Sequence, residues 1–117
     1  MNKNNGEPVI LPLADCKIVA LAWDVTEHDF SITVLEPFSH VRQVITCRWH
    51  NGLDINLHYL TDYGGMPLIA QAELLRQEGW LLLTIDCKGF PDGLLKLRCQ
   101  ELQLGQTLYT VEEENGE

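Results

Sequence analysis

The sequence PLIAQAELLRQEGWLLLTIDC, residues 67–87, decides between a mixed fold and an all-β fold. Its first half, residues 67–78, is rich in Ala, Gln, Glu, Leu and Arg, which are good helix formers. Pro67 suits the first position of a helix, and Gly79 suits the position just after its end. We therefore predict one short helix over residues 67–78. A strand is the alternative, because the apolar side chains at 68, 70, 72 and 74 also alternate and residues 78–79 suit a hairpin turn.

The second half of this stretch, residues 80–87, predicts a strand that is apolar on both faces. Its odd-numbered apolar residues share one face, and Trp80 and Leu82 lie on the opposite face. If the helix does not cover that second face, Trp80 and Leu82 form an exposed apolar patch, and such patches usually mark interfaces. Trp80 and Leu82 are therefore the predicted interaction patch.

Outside this stretch, short apolar segments separated by turn residues predict further strands. The predicted strands cover residues 17–24, 30–36, 41–49, 53–59, 80–87, 95–104 and 107–111. The predicted fold class is therefore α+β and mainly β. We expect an antiparallel meander of about seven strands, arranged as a sandwich or a partly open barrel, with one short helix packed on it.

Two details of strand register follow from the apolar pattern. Residues 41–49 and 53–59 match their apolar faces if they form a hairpin with a three-residue loop, in which Gly52 takes the left-handed position. The apolar phase of the sixth strand shifts by one residue, which predicts a bulge near residues 100–101. Residues 88–93 contain Pro-Asp-Gly, which predicts a loop before that strand.

The length and composition indicate a single globular domain. A chain of 117 residues and 13.3 kDa has room for one core, and 45% apolar with 21% charged residues is typical of such domains. We expect a disordered N-terminus over residues 1–8, one β-rich domain over 9–111, and an acidic disordered tail over 112–117. The first residues lack a secretory signal, and no segment approaches the ~20 apolar residues that span a bilayer. We therefore expect a cytoplasmic protein.

The charge of the chain disfavours two classes of partner. Seventeen acidic against eight basic residues give a formal net charge of −9. Such a surface repels nucleic acids and anionic membranes, because proteins bind polyanions through Lys and Arg. The acidic excess indicates either simple solubility or attraction to a basic protein partner.

The four cysteines predict core side chains rather than a metal site. Cys16, Cys47, Cys87 and Cys99 lie far apart, without the close pairs that zinc sites use. Thiols stay free in a reducing cytosol, and a free cysteine packs as a small apolar side chain. We predict four free thiols and no bound metal.

The chain contains none of the common sequence motifs for catalysis or phosphate binding. We therefore predict no catalytic residue and no cofactor, so that the protein is not an enzyme. His40, Asp86 and Tyr109 are the residues that a ligand cavity inside the sheet would use. Trp23 and Trp49 lie on the same faces of their predicted strands as the core residues.

These observations favour a non-catalytic protein-interaction module. Such a module would associate with a second copy of itself, or bind and neutralise a basic protein partner. The alternative is a small ligand-binding or catalytic β-barrel that uses a cavity inside the sheet. A filled core with an exposed apolar surface favours the first hypothesis, whereas a cavity lined by polar groups favours the second.

Overall fold

The computed structural model describes residues 7–56, 67–88 and 90–111. Within them the chain forms ten strands and no helix. The strands are β1 (Val9–Ile10), β2 (Lys17–Asp24), β3 (Asp29–Leu35), β4 (Arg42–Arg48), β5 (Asn51–Ile55), β6 (Ile69–Gln77), β7 (Trp80–Cys87), β8 (Phe90–Cys99), β9 (Glu101–Leu104) and β10 (Thr107–Thr110). Most of the predicted disordered segment 1–8, and all of the acidic tail 112–117, lie outside the described residues.

The strands form two five-stranded antiparallel sheets, termed sheet A and sheet B. Sheet A has the order β1-β6-β7-β8-β5, and sheet B has the order β10-β9-β4-β3-β2. Their inner faces contribute to one apolar core, and no polar or charged residue of the described chain is buried. The largest fully buried side chains are Leu11, Leu13, Ile32, Ile45, Ile69, Leu74, Leu81, Leu83, Ile85, Leu95 and Leu97. Within the described residues the chain has no apolar helix of membrane-spanning length.

Two strand pairs carry the chain from one sheet to the other and join the sheets at a corner. Arg48 of β4 pairs with Glu101 of β9 in sheet B, and Asn51 of β5 pairs with Arg98 of β8 in sheet A. Between these pairs, the Gln100 N–H donates to the Arg48 carbonyl at 3.0 Å. The two crossing segments therefore stay hydrogen-bonded to each other around the corner.

The predicted helix over residues 67–78 is wrong, because this segment forms β6 between β1 and β7. Glu78 and Gly79, with φ of 53° and 83°, form the two-residue hairpin turn that joins β6 to β7. Helix propensities of ordinary residues differ by at most about 0.7 kcal/mol per residue, whereas burying one large apolar side chain contributes about 1.5–3 kcal/mol. Burial of side chains such as Ala72 and Leu74 in the core outweighs a preference of that size. The α+β class is therefore corrected to all-β.

The predicted hairpin between residues 41–49 and 53–59 is also wrong. β4 pairs with β3 and β9 in sheet B, whereas β5 pairs with β8 in sheet A. Residues 57–59 lie outside the described chain, and Gly52 does adopt the expected left-handed φ, at 66°. An alternating pattern sets which side chains face inward, but it does not identify the partner strand.

Seven strands were predicted and the described residues form ten, for three reasons. β6 replaces the predicted helix, and the two-residue strand β1 is too short to show a pattern. The predicted strand 95–104 is divided into β8 and β9, because the apolar phase shift near residues 100–101 marks the corner between the sheets rather than a bulge. In addition, β8 begins at Phe90, inside the predicted loop 88–93.

Neighbouring leucines on β7 test this assignment of faces. Leu83 is 0% exposed in the core, whereas Leu82 lies half-buried on the outer face of sheet A. We expect Leu83→Ala to lower the free energy of unfolding by about 3 kcal/mol, because it leaves a cavity, and Leu82→Ala to lower it by about 1 kcal/mol. Urea denaturation of both variants measures the difference. Equal losses would contradict the two-sheet arrangement.

Candidate functional site

The two sheets differ in extent, and this difference opens a groove at one side of the fold. Among the described strands, sheet A ends at β5, whereas sheet B continues past β4 by two further strands, β3 and β2. The described residues leave a groove of about 330 Å³ at this side, termed the inter-sheet groove. Its lining residues are Leu21, Ala22, Trp23, Phe30, Leu53 and Ile55. The groove is therefore almost wholly apolar.

A bulge in β2 turns apolar side chains toward this groove. The register of β2 against β3 shifts between Ile18 and Ala20, after which Leu21 and Trp23 pair with buried residues of β3. Opposed residues of an antiparallel pair point to the same face, so Leu21 and Trp23 face inward. The edge strand β5 covers them only in part, and Trp23 is 62% exposed. The prediction that Trp23 points toward the core is confirmed, but the side chain is not buried.

His50, at the corner between β4 and β5, lies against the aromatic wall of the groove. Its ring centroid is 6.1 Å from that of Trp23 in an edge-on arrangement, and 6.0 Å from that of Phe30. The Nδ1 atom of His50 is buried and has no hydrogen-bond partner. A buried polar atom without a partner costs about 1–3 kcal/mol. The unpartnered Nδ1 of His50 therefore lowers the stability of the corner next to the groove.

Trp49 is a second unusual residue at the same corner. It adopts a left-handed φ of 56°, which is an uncommon conformation for a bulky side chain. Its N–H donates to the His28 carbonyl at 2.9 Å, and its ring stacks on the His28 ring at a centroid distance of 5.2 Å. Trp49 is also 57% exposed, which corrects its predicted place in the core. Trp49 therefore adds exposed aromatic surface at the corner, although it is not part of the groove lining.

The predicted interaction patch, Trp80 and Leu82, lies on the outer face of sheet A as its phase required. Both side chains are half-buried rather than fully exposed. The guanidinium of Arg98, from the neighbouring strand β8, lies 5.0 Å from the centre of the Trp80 ring. This cation–π contact covers part of the patch.

The three predicted ligand-cavity residues lie apart from one another. His40 is exposed in the turn between β3 and β4, and Asp86 lies half-buried on the outer face of β7. Tyr109 pairs with Leu102 in sheet B and packs partly against the core. None of the three lines the inter-sheet groove. They do not form a shared binding site with it.

The four thiols are free and buried, as predicted. Burial raises the pKa of the Cys87 thiol to about 11, and the neighbouring Asp86 carboxylate adds to the rise. Burial also raises the pKa of Cys16, and a hydrogen bond with Cys99 followed by burial raises that of Cys47. Such thiols are neutral at physiological pH and are poor nucleophiles. Among the described residues no three His, Cys, Asp or Glu side chains are grouped as metal ligands.

Sequence patterns missed the groove because it depends on how far each sheet extends. One local signal was present: residues 20–23, Ala-Leu-Ala-Trp, form an uncharged stretch in the exposed half of β2. Uncharged and solvent-exposed residues on a strand indicate a binding surface rather than a core strand. The left-handed conformation of Trp49 leaves no such signal in the sequence.

The fold and the groove define a small all-β protein of two antiparallel sheets. No protein-family model matches its sequence, and no curated protein matches it either. A structure similar in fold is the crystal structure of an uncharacterized protein from Neisseria gonorrhoeae, with a TM-score of 0.69. The two are 9% identical in sequence, over 87% of this chain and 100% of that chain. At this identity the similarity shows the fold alone.

The burial of the thiols predicts their reactivity. We expect iodoacetamide at pH 8 to modify none of the four cysteines in the folded chain, because burial excludes the reagent from all four and raises the pKa of Cys16, Cys47 and Cys87. Intact-protein mass spectrometry measures the modification, and the same reaction in denaturant, where all four react, is the control. Rapid labelling of any cysteine in the folded state would contradict the described core.

The unpartnered nitrogen of His50 predicts a stabilising substitution. We expect His50→Phe to raise the free energy of unfolding by about 1 kcal/mol, because it replaces a buried unsatisfied atom with an apolar ring. Val44→Phe, at an exposed position of β4, is the control and should change stability by less than about 0.5 kcal/mol. Thermal or urea unfolding measures both. A destabilised His50→Phe variant would show that the histidine makes a favourable polar interaction.

Proposed function

We propose that this protein is a non-catalytic protein-interaction module that binds through the inter-sheet groove. Its partner is a second copy of the chain or a basic protein. The observation that carries this proposal is Trp23, an inward-facing tryptophan that remains 62% exposed at an apolar groove. Tryptophan is enriched among the residues that dominate binding energy at protein interfaces.

Acidic residues beside the groove support binding to a basic protein partner. Asp24 and Asp29 pair with each other at the end of the β2–β3 hairpin, and Glu27 lies in the turn between them. The Glu27 N–H donates to Asp24 Oδ1 at 3.1 Å, so Asp24 also stabilises the turn. With a net charge of −9, this surface favours encounter with a basic protein and disfavours nucleic acids and anionic membranes.

The chemistry of the interior supports a role without catalysis or cofactor. Catalytic sites bring polar and titratable groups together in a cleft. In the described part of the chain the core holds no buried polar or charged residue, and the groove lining is apolar. The four free thiols are typical of a reducing compartment, which supports a cytoplasmic location.

A small-ligand function is the second candidate, and the volume of the groove favours it. About 330 Å³ lies at the lower end of the range for small-molecule pockets. The ligand would be apolar, because His40, Asp86 and Tyr109 do not line this groove. Native mass spectrometry of the purified chain distinguishes the two functions, since a bound small molecule adds a defined mass to the monomer.

Tryptophan substitutions test which surface binds. We expect Trp23→Ala to weaken association, with itself or with a co-purifying protein, by about tenfold or more, because it removes an interface tryptophan. Trp80→Ala removes the predicted patch on the outer face of sheet A and should leave association unchanged. Light scattering at several concentrations and titration with the purified partner measure the affinities, and thermal unfolding confirms that both variants fold.

Two results would contradict the proposal. A chain that is monomeric at every concentration and carries no stoichiometric protein partner would refute an interaction function. Association that Trp80→Ala weakens and Trp23→Ala does not would move the binding surface to the outer face of sheet A.

A further inference from the structure

The outer face of sheet B carries charged residues only at its two ends. Strand pairing places the outward side chains of β2, β3, β4 and β9 in four rows that cross the sheet. One end row, termed the acidic row, contains Asp24, Asp29, Arg48 and Glu101. The opposite end row, termed the basic row, contains Lys17, Leu35 and Arg42. The two central rows are uncharged and contain Ala22, Ser31, Thr46 and Gln103, and Ala20, Thr33 and Val44.

The outer face of sheet A has a different distribution of charge. There one row across the centre of the sheet consists of Glu73, Thr84, Lys96 and Asp54, so that charges of both signs lie in the middle of the face. Such mixed charges are typical of a surface that stays in solvent. Both sheets belong to the same chain, and only sheet B lacks charge at its centre. The outer face of sheet B is therefore the more suitable of the two for contact with another protein surface.

The central rows of sheet B are also flat and open to solvent. Apart from Gln103, their side chains are no larger than valine or threonine. Ala20, Ala22 and Val44 are exposed, and the Val44 side chain retains 45% of its accessible surface. Small and β-branched side chains allow two sheets to pack face to face at a separation of about 10 Å. The central rows thus have the shape of a sheet-packing surface.

We propose that two copies of the chain associate through the outer faces of their sheets B. The two-fold axis lies in the interface, perpendicular to the strands and between the two central rows. This inference goes beyond the groove proposed above: it assigns a second copy to the outer face of sheet B and leaves the inter-sheet groove to a basic protein partner.

The charges at the two ends of the face select this axis. Three carboxylates and the Arg48 guanidinium give the acidic row a formal charge of −2, whereas Lys17 and Arg42 give the basic row a charge of +2. With the axis perpendicular to the strands, the acidic row of each copy lies over the basic row of the other, at both ends of the interface. An axis parallel to the strands would place like rows together, which is unfavourable. The face is therefore complementary in charge to a second copy of itself.

The axis also determines which strands and residues meet. It leaves each strand over its own counterpart, so Lys17 and Asp24, both on β2, lie at facing ends of the two copies. Each is about 10 Å from the axis along the strand. The rotation of about 30° between packed sheets shifts these ends by about 5 Å, or one strand spacing. Lys17 therefore stays within reach of Asp24 or of its neighbour Asp29 in the second copy.

The area of the face indicates a reversible dimer. Strands are about 4.8 Å apart, and successive outward residues of one strand are about 7 Å apart. The four rows therefore cover roughly 500 Å² on each copy, or about 1,000 Å² for the pair. This area is close to the minimum for a specific interface. We expect a monomer–dimer equilibrium that depends on protein concentration.

Reversal of single charges tests the pairing of the two end rows. In sedimentation equilibrium of the full chain, we expect Lys17→Glu and Asp24→Lys each to weaken self-association by about tenfold or more, because each places like charges together at both ends of the dimer. An equimolar mixture of the two variants should recover most of the wild-type affinity, since the mixed dimer has one wild-type end and one end with the charges exchanged. Net charge predicts the opposite for Asp24→Lys, which changes it from −9 to −7 and lowers the general repulsion between copies.

A substitution at the centre of the face provides a second measurement. We expect Val44→Arg to weaken self-association by about tenfold or more, because it places two charges near the axis of a dry interface. Thr84→Arg is the matched control, since it adds the same charge to another β-branched position on the outer face of sheet A. It should leave self-association unchanged. Circular dichroism and thermal unfolding confirm that all four variants fold.

The outcomes separate this inference from the groove function. A chain that is monomeric at every concentration, or a mixture of Lys17→Glu and Asp24→Lys that associates no better than either variant alone, overturns the sheet B dimer. The groove function then depends only on whether a basic protein binds in a Trp23-dependent manner. Self-association that Trp23→Ala weakens and Val44→Arg does not also overturns the sheet B dimer, and it places the second copy in the groove.

Discussion

The structure depends on one constraint: a single aliphatic core is shared by two sheets that are joined at a corner. The β4–β5 and β8–β9 segments cross this corner while they stay hydrogen-bonded to each other. Their inner residues, such as Ile45 in sheet B and Leu95 in sheet A, are fully buried in the same core. The position of the corner sets how many strands each sheet extends on either side of it. The inter-sheet groove is a consequence of that unequal extension.

Patterns along the sequence predicted the bounds of several strands correctly. The bounds of β2 and β7 agree with the predicted segments 17–24 and 80–87, and the inward phase of the cysteines was also correct. The composition of segment 67–78 favours a helix. The alternation of its apolar residues instead indicates a strand, which is the structure that it forms. The pairing of β4 was not predictable, because the same alternation satisfies any partner strand.

The candidate site was less predictable than the fold, for a physical reason. The phase of Trp23 correctly indicated an inward side chain, but burial also requires that the opposite sheet extends over it. That extent is a property of the tertiary structure, and no local pattern reports it. The exposure of Trp49 depends likewise on a left-handed residue at the corner. By contrast, the two-residue period of a strand was sufficient to predict that Trp80 lies on the outer face of sheet A.

The central claim is that the inter-sheet groove, with the exposed Trp23 in its lining, is the surface through which this protein binds. Residue-resolved amide hydrogen exchange, followed as the concentration of the chain or of a purified partner is raised, tests it most directly. The account predicts that exchange slows at residues of the groove lining, such as Trp23 and Leu53, while amides of β10 exchange at constant rates. Exchange at the groove lining that stays fast at every concentration, while protection grows elsewhere on the surface, would contradict the account.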